Sequence, residues 1–527
     1  MRRAVGAALI GLGADAWAPL ARAAEKAGAQ SVVRRIAVRS GGLAFFGDRQ
    51  HFATINPRSS TGRRFAELTV DSRAETSAFF EVVNRHGAGA VVNSRTPMFL
   101  RRGVNRIPWN PPPSMAPGSY ILRVRSDVGE VPGPVLAQAV VRVLDVEATF
   151  DRRSAVPGET VHLSVLCDAP WLTLTLLHCG PETVPTYSNS LMNGVPVAPP
   201  QRLDLTGHRS KPGSFTIRLP TTLTTGVHTA RLEGPSGHLG FAPIVIRPAA
   251  PTQRVAAVMP TTTWQAYNFY DENGDGLGGT WYAVWAQKRV KVTRPHLRRG
   301  VPYRWRSYDL QFQLWLTSRG HAVDMYADED IEHFASAAAL RAAYDLIIFP
   351  GHTEYVTSRL FDMIEGFRDL GGRLIFLSAN NFFRQVVREG SKVHLITEWR
   401  NKNRPESSLL GAQYIANDRG QHQQPFIVTG ADVAPWLFVN TGLGNGSTFG
   451  RYGIEIDATG PASPPGTQVL AQIPDLFGPG RTAQMTYYET AAGARVFSAG
   501  ALNFGGTVML WSTTATILDN VWARMLA

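Results

Sequence analysis

Cysteine is almost absent: Cys167 and Cys179 are the only two in 527 residues. Two thiols cannot staple a chain of this length, so apolar burial has to hold it together. Nor can they build a zinc site by themselves. One bridge between two neighbouring β-like runs and a pair of buried free thiols both stay open. Long apolar runs are missing too, since none reaches the roughly 18 residues that cross a bilayer as a helix. Negative charge is in short supply, with 41 acidic against 53 basic residues and a formal +12. The surplus cations are scattered, as at Arg34-Arg35 and Arg101-Arg102, and a basic surface without a stripe argues against nucleic acid as a partner. With 44% apolar and 18% charged residues, disorder is excluded.

What is present divides into segments. Arg2-Arg3 precede a small-residue stretch, and Ala21-Arg22-Ala23 fits a small-x-small cleavage site. Residues 1–24 therefore read as a signal peptide, although Asp15 and Trp17 interrupt its apolar part. A functional leader would place the protein in the periplasm or outside the cell; otherwise it stays cytoplasmic. Residues 32–145 read as short alternating strands, among them Phe65–Val70, Phe79–Val83 and Tyr120–Val124. Trp109 followed by the Pro117-Gly118 turn resembles the closing strands of an immunoglobulin-like module. A second unit of that class is expected over residues 146–248, opened by Val156-Pro157-Gly158. Neither sandwich shows obvious chemistry.

After Arg247-Pro248 strands alternate with helices. Strands are expected at Val255–Pro260, Ala322–Tyr326, Tyr344–Ile348 and Arg373–Leu377, and helices at residues 310–319, 335–344 and 358–370. The expected fold is thus two immunoglobulin-like β-sandwiches followed, over residues 254–527, by an α/β domain. Its sheet would be mostly parallel, flavodoxin-like or class I glutamine amidotransferase-like, with reactive loops at the carboxyl ends of its strands. Three such ends stand out. Thr261 to Gly278 is at once aromatic, polar and Gly-rich. The run Phe349-Pro350-Gly351-His352-Thr353-Glu354-Tyr355 presents an imidazole and a carboxylate with no Ser or Cys nucleophile, which favours a metal ligand or an acid/base pair over covalent catalysis. Ser378 to Asn381 adds the neutral amide of Asn380, suited to orienting a substrate or a developing oxyanion. Asp271, Asn273, Asp275 and Gly276 match the first half of a calcium loop, but Tyr282 stands where its closing glutamate belongs.

Residues 254–527 resemble the catalytic domain of the large (beta) subunit of N,N-dimethylformamidase. The residues that carry the likeness are Gln265-Ala266-Tyr267, Tyr270 with Asp275-Gly276-x-Gly278, Asp328-Glu329-Asp330, Gly351-His352-x-Glu354-Tyr355, Gly371-Gly372-Arg373-Leu374 with Asn380, and Val496 to Gly500. The resemblance implies a mononuclear ferric iron held by Tyr267, Tyr270 and Glu354, with His352 and Asn380 assisting hydrolysis of a C–N amide bond. Three anionic oxygens suit such a hard ion. In the family a long insertion separates the two tyrosines, whereas here only Asn268 and Phe269 do; Tyr282, Tyr303 and Tyr308 are the replacements if Tyr270 fails. The family's lysine has no clear counterpart, Lys392 and Arg400 being the candidates. Expected partners are a small amide substrate and either an oligomeric copy or a small partner subunit, with no membrane span. The alternative reading is an exported non-catalytic binding or scaffold protein with a degenerate α/β domain.

Overall fold

The computed structural model describes residues 32–40, 42–44, 52–57, 64–84, 96–127, 129, 132–208, 212–272, 278–282 and 288–527. The leader at residues 1–24 and the calcium-loop positions Asn273, Asp275 and Gly276 lie outside the described residues. The chain forms two units. One comprises Met1–Leu144, Arg209–Lys211 and Phe269–Lys288, the other Asp145–His208, Pro212–Asn268 and Arg289–Ala527.

The first unit contains an antiparallel sheet of Val33–Ser40, Ala66–Ser72 and Gly103–Trp109, and a six-stranded sheet that includes Thr76–Asn84, Gly118–Asp127 and Pro132–Val143. Strict alternation along Ala66–Ser72 turns Ala66, Leu68 and Val70 inward, where they join Ile107, Trp109, Tyr120, Leu122 and Val124. The Trp109 and Tyr120 rings lie 5.5 Å apart. The Tyr120 hydroxyl donates to the Ala116 carbonyl at 2.8 Å, a corner bond that fixes the turn into its strand. Within this unit the Tyr270 ring is buried beneath the Arg142 guanidinium, which donates to its hydroxyl at 2.8 Å.

The second unit opens with two more antiparallel layers, Glu147–Phe150, Thr160–Leu166 and Gly213–Arg218 against a sheet built around Trp171–His178, Gly226–Glu233 and Leu239–Ile246. Their inward residues close one core that includes Cys167. Cys167 and Cys179 are both buried free thiols. A nine-stranded sheet follows, ordered Asp324–Ala327, Val255–Met259, Leu346–Phe349, Arg373–Phe376, Arg495–Ser498, Ala483–Glu489, Gln468–Ile473, Gln423–Val428 and Thr448–Gly453. The helices Leu310–Arg319, Ser358–Asp369 and Ser512–Leu526 bury apolar faces in the cores on either side. Among the described residues no helix is long and apolar enough to cross a membrane.

The expected fold class is overturned. The described residues are mainly β, 41% strand against 17% helix, with many sheets and, among them, no flavodoxin-like or amidotransferase-like parallel domain. Parallel pairing joins only the first five strands of the large sheet, and its other half is antiparallel. The strand-helix alternation read from the sequence stops at Phe376. Beyond it the half-exposed strands Arg384–Glu389 and Lys392–Glu398, and Gln423–Val428 and Gln468–Ile473, pair with each other antiparallel, as strands joined without helical crossovers do. The turn at 351–355 does not enter a helix directly either. Tyr355–Val356 first adds in parallel to Arg384–Glu389, and the helix starts at Ser358.

Candidate functional site

The strand Val255–Met259 is apolar throughout because both of its faces are covered, and it stops at Pro260. The short helix Thr261–Ala266 follows, entirely buried and pinned by Asp328. That carboxylate accepts from the Thr261 hydroxyl at 2.7 Å and from the Thr262 N–H at 2.8 Å. Tyr267 caps this helix and points its hydroxyl at Glu354 Oε2, to which it donates at 2.6 Å. The strand Leu346–Phe349 delivers Glu354 through a turn that only glycine permits at position 351. A Cβ there would stand 2.2 Å from Asp309 Oδ1 and 3.1 Å from Pro260. Thr263 Oγ1 accepts from the Glu354 N–H at 3.1 Å, so the first loop also sets the second.

Arg373–Phe376 supplies the third strand end. Asn380 adopts φ 55°, its N–H donates to Asp457 Oδ1 at 2.8 Å, and its amide donates to Glu455 Oε2 at 2.7 Å. Glu455 is the residue the sequence reading missed. The edge strand Thr448–Gly453 breaks at Ile454, a β-branched residue at φ 71°, and Glu455 then opens the strand Glu455–Ala458 in a separate two-stranded sheet. Arg304, Asn380, Phe382 and Ile454 all have positive φ near these loops, a concentration of backbone strain that marks functional sites.

His352 lies between the two carboxylates, with Nε2 at 3.6 Å from Glu354 Oε2 and 3.4 Å from Glu455 Oε2. That spacing would suit an imidazolium, yet the ring is buried, and desolvation lowers its pKa to about 3. Desolvation wins, because Nε2 is shut off from water while neither carboxylate makes a hydrogen bond to it. The imidazole is neutral, and its Nε2 has no hydrogen-bond partner among the described residues. Burial, reinforced by the charge of Glu354, raises the Glu455 carboxyl well above its ordinary range. One neutral base and one carboxylic acid thus stand side by side.

The structure brings Tyr267, His352, Glu354 and Asn380 together within the second unit. Tyr270 belongs to the first unit, where Arg142 engages it. Inside the second unit two phenols stand against Tyr267: Tyr303, stacked at 5.7 Å between ring centres, and Tyr355, edge-on at 6.2 Å. Tyr308 is buried nearby in the small cluster with Ala379 and Leu502. Arg400 is tied to Glu406, and Lys392 is exposed on its strand. Glu329 and Asp330 act structurally, pairing with Arg153 and Ser154.

The strand ends thus gather phenol, carboxylate, imidazole and amide groups in one buried cluster. The family profile described as N,N-dimethylformamidase beta subunit-like, C-terminal, matches residues 183–515, and the chain belongs to that family. The match begins among the antiparallel layers that open the second unit, well before residue 254. Curated proteins gave no match. Among solved structures, the BSP domain of a biofilm associated protein shares 16% identity over 40% of this chain and 30% of that one, at a TM-score of 0.14. Salmonella alpha-2-macroglobulin reacted with methylamine shares 11% over 40% of this chain and 16% of that one, at 0.21. The chain spans less than a third of either protein, and likenesses at such scores carry no argument.

Proposed function

We propose that the chain hydrolyses the C–N bond of a small amide, in the manner of its family, at the cluster of Tyr267, His352, Glu354, Asn380 and Glu455. The observation that carries this reading is the Tyr267–Glu354 contact beside a buried imidazole whose Nε2 lacks a partner among the described residues. Such an orphaned nitrogen is costly unless something binds it. A hard cation fits the donor set: Tyr267 and Glu354 bring anionic oxygens to one point, and the unpartnered Nε2 of His352 and Oδ1 of Asn380 face the same loops. Tyr270 is the second phenol of this reading by resemblance alone. Iron bound by Tyr267 and Glu354 would polarise the amide carbonyl and lower the pKa of a bound water.

The chain's own residues would manage the protons. Neutral His352 accepts one from the attacking water at Nε2. Glu455, held as the acid by burial, returns one to the leaving amine. Asn380 gives its amide protons to Glu455, so its Oδ1 is left to accept from the water or from a substrate N–H. A small partner subunit, or a second copy of the chain, belongs to the same proposal.

Purified without a metal-affinity step, the protein should carry about one iron per chain and the colour of phenolate-to-iron charge transfer. Tyr267→Phe should bleach it. A colourless, metal-free and folded protein without amidase activity would sink the proposal.

A further inference from the structure

Cys167 and Asp168 follow the strand Thr160–Leu166, and His238 stands at the turn between Gly226–Glu233 and Leu239–Ile246. Sequence alone places them 70 residues apart at the nearest. In the fold the Cys167 sulfur, an Asp168 carboxylate oxygen and a His238 ring nitrogen all lie within 4.8 Å of one another. The His238 Nδ1 bonds to the Pro235 carbonyl, which fixes that nitrogen as the protonated one and turns Nε2 inward. Nε2 then faces Asp168 Oδ1 at 2.9 Å. A ring nitrogen anchored to a carbonyl behind the ligating one is how proteins orient a metal-binding histidine. Burial holds the Cys167 thiol well above its ordinary range, so that only a bound cation would draw out its proton, and the Ala169 N–H, 3.4 Å from the sulfur, offsets that in part. All three side chains are buried, those of His238 and Asp168 being 5% and 8% exposed.

We propose that Cys167, Asp168 and His238 form a binding site for a divalent cation of the zinc class, separate from the amidase cluster. Bonds of about 2.0 Å to nitrogen or oxygen and about 2.3 Å to sulfur put tetrahedral donors roughly 3.3 to 3.8 Å apart. The observed spacing needs only small side-chain shifts to meet that. Thiolate, imidazole and carboxylate together select a borderline-soft ion, whereas the all-oxygen and imidazole set at Tyr267 and Glu354 suits a harder one. On binding, the Cys167 thiol and the His238 Nε2–H that donates to Asp168 each give a proton to solvent, so the ring ligates as neutral imidazole with its proton kept on Nδ1. The ion clamps the loop after Leu166 to the His238 turn, and with three protein ligands a fourth position is left for water.

Cobalt distinguishes this site from the other. The full chain, stripped with a chelator and titrated with cobalt chloride, should show a near-ultraviolet sulfur-to-cobalt charge-transfer band and the intense visible bands of a tetrahedral ion. Zinc should abolish both by displacement. Cobalt at the Tyr267 site has no sulfur donor and cannot give the first band, so failure of one site does not mask the other. Cys167→Ser should lose the sulfur band and Cys179→Ser should keep it. His238→Asn, with circular dichroism confirming the fold, should weaken or remove it while leaving the thiol in place. No sulfur band in the unaltered protein, or an unchanged band in Cys167→Ser, overturns the proposal.

Discussion

The two halves of the nine-stranded sheet contribute very differently to the candidate site. In the parallel half every strand ends on the same side, so Tyr267, Glu354 and Asn380 arrive from three successive strand ends with little distortion beyond Asn380 itself. The antiparallel half alternates direction and gathers no loops in this way. Its one contribution, Glu455, is delivered only because the chain breaks at Ile454 and leaves the sheet. Parallel pairing gathers three side chains at one edge, with positive φ at Asn380 and Phe382 in the third loop alone; antiparallel pairing delivers its single side chain only where the chain breaks out of the sheet at Ile454.

The sharpest way to break that comparison is to neutralise one carboxylate from each half. Glu354→Gln should lose bound iron and lower turnover by about 10²-fold or more. Glu455→Gln should keep its metal while slowing turnover less. If metal analysis finds that Glu455→Gln also loses iron, the two halves share ligation and the contrast fails. Next in size is the support behind the first strand end. Asp328→Ala strips the buried Thr261 hydroxyl and Thr262 N–H of their acceptor, and urea denaturation should register a loss of about 3 kcal/mol.

Asp309 gives the parallel half a pH signature. Buried, with only the Trp264 Nε1–H among the described residues donating to it, at 3.2 Å, its carboxyl is pushed by desolvation from an ordinary 3.8 up to about 8. The folded state therefore holds a proton that the unfolded chain releases. Stability from this group is complete below the ordinary value and is lost as pH climbs toward the folded one. The urea midpoint should fall between about pH 5 and about pH 8, and Asp309→Asn should flatten that slope; an identical slope in the variant refutes the assignment. The smallest effect belongs to the antiparallel half. Tyr452→Phe removes one buried bond to Thr514, 2.7 Å long, for about 1 kcal/mol by the same assay, with no change in turnover.

Much of the site was legible before any coordinates. Pro350-Gly351 after an apolar strand, followed by His352 and Glu354, carried its meaning in the local order of residues. So did the buried strands and the αL glycine at position 320 that closes the helix Leu310–Arg319. The sandwich strands were equally plain, since period-two alternation is a local property. The antiparallel half was not, because apolar and half-apolar runs look alike whichever way their neighbours run. Glu455 carried no signal at all: an acid after Gly453-Ile454 in a turn reads as solvated until burial by distant strands shows otherwise.

By itself, then, the amino-acid order determined which segments are strands, where the chain must turn on glycine, and which family the chain joins. The tertiary structure alone decided that Tyr267 and Tyr270, three residues apart, fall in different units. It alone set Glu455 beside His352, and His238 beside Cys167. The reason is physical. Helix, strand and turn preferences act over a few residues, whereas desolvation, shared protons and ligand geometry depend on which distant side chains the packed sheets bring within a few ångströms.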